Sequence, residues 1–163
     1  PNSGDAMATA RMIAVYLLAV VTGTVLVSIA NTHVVLQALV RAGASIPTGV
    51  RIDAIQQDLA GFAPTLFVLI LVGFAVAFPI AGVLGRILGR GWRRLGFTLA
   101  GGAAIAAIML GITAFYGQVL DATITPVASS RDLPGLLTLC LGGAAAGFLF
   151  ASLKPPTRAA SRR

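Results

Sequence analysis

Glutamate is absent from this chain, and histidine, cysteine, lysine and tryptophan each occur once, as His33, Cys140, Lys154 and Trp92. Each scarcity removes a class of chemistry. One histidine cannot supply bis-histidine haem ligation, and with no glutamate and five aspartates a carboxylate-rich metal site has too few ligands. One thiol cannot form an internal disulfide, a thiolate metal cluster or the cysteine pair that a quinone-linked disulfide oxidoreductase requires. Cys140 therefore reads as a small packing residue. A phosphate-cradling GxxxxGK[ST], a GxSxG elbow, an HExxH and a CxxC are all missing. Charge is scarce as well. Charged residues make up 10% of the sequence, against about 25% in soluble domains. Such a chain cannot build the polar skin of a water-soluble globule.

What is present is apolar sequence in long blocks. Hydrophobic residues make up 57% of the chain. Crossing about 30 Å of hydrocarbon takes roughly 20 apolar residues in a helix. Four stretches qualify: 12–30, 62–85, 95–116 and 133–153. Helical, apolar character continues beyond the first through Val34-Val35-Leu36 to Arg41. A cleaved signal peptide is a poor account of that first block, whose core is too long for one. The expected fold class is all-α: an integral membrane four-helix transmembrane bundle, with a short interfacial amphipathic helix between spans 1 and 2. Residues 7–153 are expected to form one domain, followed by a basic tail over 154–163. Pro1 to Ala6 are unlike the rest of the chain and are expected to be a cloning remnant, with Met7 a natural start.

The formal net charge of +7 does not point to nucleic acid. The basic residues flank apolar blocks, with no aromatic residues interleaved to stack on bases. They read as topology signals and as contacts for anionic lipid headgroups. One side of the membrane receives Arg11, Arg86, Arg90, Arg93, Arg94, Lys154, Arg158, Arg162 and Arg163. The other receives Arg41, Arg51 and Arg131. By the positive-inside rule both termini are cytoplasmic. The arginine bias over lysine suggests a GC-rich genome, and the expected location is a bacterial inner (plasma) membrane.

The outer segment between spans 1 and 2 is not all loop. The first helix is expected to run on until Gly43, with Ala44-Ser45-Ile46-Pro47 breaking it. Thr48 is expected to cap a short helix through Ala60. In that helix Ile52, Ile55 and Leu59 share a face, away from Arg51, Asp53, Gln57 and Asp58, which suits a helix lying at the interface. Pro79 favours a bend in the second span.

Membrane helices associate by close packing, so small residues at helical spacing mark contact faces. In span 3 these are Ala100, Ala104, Ala107, Gly111 and Ala114. Span 4 offers Gly143-Ala144-Ala145-Ala146-Gly147, with Cys140 and Ala151 on the same side. Close approach of spans 3 and 4, or of one of them to a neighbouring subunit, is expected. Polar residues on the first helix form two stripes, Thr24–Ser28–Asn31 and His33–Gln37–Arg41. The outer rim adds Asp53, Asp58, Gln118, Asp121, Arg131 and Asp132. From these, Asn31, His33, Gln37 and Asp121 form the candidate polar site, and Arg86, Arg90, Arg93 and Arg94 the candidate headgroup contacts. No catalytic residue, metal or cofactor is expected.

The leading functional expectation is a non-catalytic inner-membrane protein, an accessory or assembly subunit of a membrane complex or a self-associating bundle. Its partners would be the lipid bilayer and other membrane subunits or copies of itself. A homo-oligomeric channel or small transporter, with the Thr24 stripe lining a pathway, is the alternative. A membrane enzyme or lipid- or quinone-binding protein with a site at the outer leaflet is a third.

Overall fold

The computed structural model describes residues 3–89, 91–119 and 132–154. Five helices account for nearly all of them: α1 (Ser3–Arg41), α2 (Thr48–Gly61), α3 (Ala63–Leu88), α4 (Trp92–Val119) and α5 (Leu133–Leu153). All but α2 are long and apolar enough to cross a membrane.

Local chemistry explains the boundaries. The end of α1 is a Schellman turn: Gly43, at φ 95°, donates its N–H to the Val40 carbonyl, and Ala44 donates to Leu39. A side chain at position 43 would disfavour that left-handed backbone. The α1 helix begins well before the first apolar block, because residues 3–11 contain no helix breaker once Gly4 is passed. At α2 the cap differs from expectation. Pro47, extended at φ −61° and ψ 154°, holds the N-cap position with no side-chain cap bond, and Thr48 is already helical. A threonine inside the first turn cannot serve the N-cap role, which requires non-helical backbone. Between α2 and α3, Phe62 stays in helical conformation and donates to the Asp58 carbonyl. Pro64 then has no N–H to offer the turn before it, so the chain redirects into α3. Gly89, at φ 93°, ends α3. The α5 helix has the range expected of the last apolar block at both ends.

The long helices pack in the cyclic order α1, α3, α4, α5, each against its two neighbours, with α4 against α5 the most extensive contact. Successive helices reverse direction, giving an up-down-up-down bundle. One end gathers Met12 and Tyr16 of α1, Arg86 of α3 and Lys154 just past α5. The opposite half carries the α2 helix against α1 and α3.

Toward the basic end the centre is filled by aromatic rings from all four long helices. Phe78 stacks on Phe74 at 4.6 Å and on Phe150 at 4.5 Å, and meets Phe97 edge-on at 5.7 Å. Tyr16 closes the cluster edge-on to Phe78 and Phe150. Its hydroxyl donates to the Leu71 carbonyl, so the one polar atom of the cluster is satisfied. Val27, Leu66, Ile70, Met109 and Leu139 continue the core away from the basic end.

Candidate functional site

The polar residues of α1 separate by face. Thr24, Ser28 and Thr32 follow one another at steps of four and are buried. Thr24 Oγ1 donates to the Val20 carbonyl at 2.8 Å, and Thr32 Oγ1 to the Ser28 carbonyl at 3.2 Å. Both hydroxyls are thus spent on their own helix, the usual resort of a hydroxyl in an apolar surrounding. Ser28 differs. Its hydroxyl, fully buried, donates across to Asp58 Oδ2 of α2 at 2.5 Å. This charge-assisted bond ties α2 onto α1.

Beside Asp58 lies a shallow cavity of 370 Å³. Asn31, Thr32, Val35 and Leu36 of α1 form one wall, Ala54, Gln57 and Asp58 of α2 the other, and Phe62 the floor. The inward side of α2 carries half-buried Ala54, Ile55, Asp58 and Leu59, while Ile52 is exposed. The sequence pattern puts Asp58 on the side away from Ile55 and Leu59. In the structure it faces inward, because Ala54 leaves room beside it and Ser28 offers a donor.

Of the four residues singled out from sequence, Asn31 lines this cavity. Gln37 is half-buried on α1 and does not line the cavity, and His33 is exposed on another face of the helix. Asp121 lies outside the described residues, as does Arg131, so neither enters the geometry. Gln57 and Asp58 join Asn31 instead. The signal for Asp58 is present in the sequence as an acid three residues after Ile55, but its partner is set by how α2 docks.

The small-residue faces sort in the same way. Gly143 and Gly147 of α5 lie against Phe97, Gly101 and Ile105 of α4 so closely that backbone touches backbone. A methyl group on Gly101 would overlap the Gly143 carbonyl, and one on Gly147 the Phe97 carbonyl. Ala104 is buried and Ala100 half-buried, one step around α4, with Ala104 near Gly73 of α3. Ala107, Gly111 and Ala114 are exposed, and none of the described residues lies within 4 Å of a methyl built on Gly111. On its other side α5 presses Gly142 against Val27 and Ala146 against Gly23 of α1.

Among the basic residues, Arg86 and Arg94 are exposed and Arg93 is half-buried, reaching the Ala151 carbonyl at 3.5 Å. Arg90 lies outside the described residues. Lys154 Nζ sits over the rings of Phe97, at 4.9 Å, and Phe150, at 5.6 Å. Burial of its ammonium, followed by the positive charges of Arg93 and Arg86, holds Lys154 below the ordinary lysine pKa. Among the described residues no three of histidine, cysteine and acidic side chains gather as a metal site.

The Ser28–Asp58 bond has a measurable consequence. Ser28→Ala is expected to destabilise the purified protein by about 1–2 kcal/mol in a detergent unfolding titration. Thr32→Ala, which removes a bond within one helix, is expected to cost less than half as much. Equal costs for the two substitutions would show that Ser28 does not fasten α2.

No family model matches the sequence, and neither a curated protein nor a solved structure matches it.

Proposed function

We propose that the chain is a non-catalytic integral membrane protein that crosses a bacterial inner membrane four times, with both termini cytoplasmic, and that serves as a subunit packing against other membrane helices. In this reading α2 lies at the outer interface, bound to α1 through Asp58. The observation that carries the subunit reading is the exposed row Ala107, Gly111 and Ala114 on α4. The neighbouring face of the same helix uses its small residues to seat α5, whereas among the described residues nothing covers this row. Small residues on a membrane helix admit a second backbone at close range.

The channel reading has weaker support. Thr24 and Ser28 are buried inside one copy of the chain with their hydroxyls engaged. They cannot also line an axis between copies. The aromatic plug of Phe74, Phe78, Phe97 and Phe150 fills the centre of the single bundle.

Purification in a mild detergent tests the proposal. The native mass is expected to exceed that of one 16.6 kDa chain, with the excess lost on Gly111→Leu. A cytoplasm-active reporter fused after Arg163 is expected to be active in the same cells. A particle holding a single chain, unchanged by the substitution, would refute the subunit reading, and an inactive reporter the orientation.

A further inference from the structure

A cleft of 570 Å³ opens between α1 and α3 at the basic end, and neither the α2 latch nor the small-residue row of α4 involves it. Its walls are Ile13 of α1 and Pro79 and Val83 of α3, and its floor is Phe78 and Phe150. Ile13 and Val83 are each about half exposed, so the cleft opens sideways onto the outside of the bundle. Its size falls in the ordinary range of small-molecule sites, about 300–1,000 Å³. At the rim of this apolar slot stand two cations, Arg86 and Lys154.

The charge at that rim is one-sided. Arg93 lies near enough to Lys154, as Arg86 does, for their charges to repel its ammonium. Among the described residues, Asp53 and Asp58 lie on α2 and Asp132 at the start of α5, all away from this end. Asp5 stands seven residues before Met12, about 10 Å further along α1 at 1.5 Å per residue. Cations gathered with no described carboxylate beside them favour an added anion. The apolar slot below suits an anion that carries a hydrocarbon tail.

We infer that the α1–α3 cleft holds one anionic phospholipid of the cytoplasmic leaflet, its acyl chain against Ile13, Val83 and Phe78 and its phosphate between Arg86 and Lys154. This rests on the membrane orientation proposed above, which places the basic end at the cytoplasmic surface. The half-buried ammonium supports the assignment. Lys154 is anchored over two aromatic rings, which fixes its position, and a phosphate at the rim would restore the favourable surroundings that burial and two arginines remove. A neutral amphiphile such as a quinone would satisfy the slot but leave the rim uncompensated.

The full-length chain purified in detergent, titrated with phosphatidylglycerol or with phosphatidylcholine and read by native mass spectrometry, tests the inference. Phosphatidylglycerol is expected to be retained as a single tight copy, and phosphatidylcholine roughly 30-fold more weakly, at about fivefold for each of two cations. Arg86→Gln with Lys154→Gln is expected to abolish that preference, while Arg41→Gln with Arg51→Gln, which removes the same charge from the opposite half, retains it. Ile13→Trp fills the slot without altering charge and is expected to displace the lipid. Equal retention of the two lipids, a preference surviving the first double substitution, or unchanged retention in Ile13→Trp would each overturn the inference. Inorganic phosphate competing as well as the lipid would assign the rim to a free anion and overturn it too. The reporter fusion after Arg163 reads the orientation separately, so failure there is distinct from failure of lipid selectivity.

Discussion

Gly147→Ala is expected to destabilise the bundle by about 3 kcal/mol or more, as read by the midpoint of unfolding in a graded denaturing detergent. The magnitude lies at the upper end of overpacking costs, for a specific reason. The methyl group would meet the carbonyl of Phe97, which is backbone inside a helix, and no side-chain rotation can move it. The α4 and α5 helices must separate instead, and separation forfeits the dispersion contacts of the most extensive helix pair in the chain. Gly101→Ala is expected to behave alike, because its methyl group would overlap the Gly143 carbonyl. Gly111→Ala supplies the contrast. Among the described residues nothing lies within 4 Å of a methyl there, and alanine is the better helix former by up to about 1 kcal/mol. It should be neutral or mildly stabilising to the single chain. Similar costs at positions 111 and 147 would mean that α4 and α5 do not meet through backbone.

Phe78→Ala is expected to cost about 3 kcal/mol in the same titration. In a soluble core a phenylalanine truncation costs about 3–5 kcal/mol, part of it lost transfer from water. Inside a bilayer the unfolded helices still sit in hydrocarbon, so that part shrinks and the lost packing remains. Phe78 has more to lose than its neighbours. It touches Tyr16, Phe74, Phe97 and Phe150, and so joins all four long helices. Phe148, about half exposed on α5, is the matched control, and its truncation should cost well under 1 kcal/mol. If Phe148→Ala proves as costly as Phe78→Ala, the aromatic cluster does not hold the bundle together.

The long helices were legible because apolar length is a one-dimensional property. No contact has to be known to see that Leu133–Leu153 is a helix, and its range is the same in sequence and structure. Boundaries set by backbone conformation were partly legible. Gly43 was recognisable as a stop, whereas Pro47 rather than Thr48 at the cap of α2 depended on which residue first becomes helical.

The choice of face was harder to read. On α4, Gly101, Gly102, Ala103 and Ala104 are consecutive, so small residues point in every direction. Spacing alone favoured the row from Ala100 through Ala114, while α5 took the adjoining row of Phe97, Gly101 and Ile105. Periodicity identifies a contact face only where the other faces are bulky. The aromatic cluster escaped for the opposite reason. Phe74 and Phe78 are a visible pair on α3, but Phe97 and Phe150 reach them from distant parts of the chain. Ser28 and Asp58 each stand out in the sequence, and the bond between them arises only from the docking of α2 on α1.

The length of α1 carries a further consequence. At 39 residues and 1.5 Å per residue it measures about 58 Å, against about 30 Å of hydrocarbon. With the bilayer placed as proposed, both ends of this one rod stand in water, and no proline interrupts it. The Ser28–Asp58 latch and the lipid cleft beside Ile13 are therefore mounted on the same strut, fifteen residues apart, about 22 Å at that rise. Tilting the rod to seat a lipid at one surface would swing the α2 helix at the other.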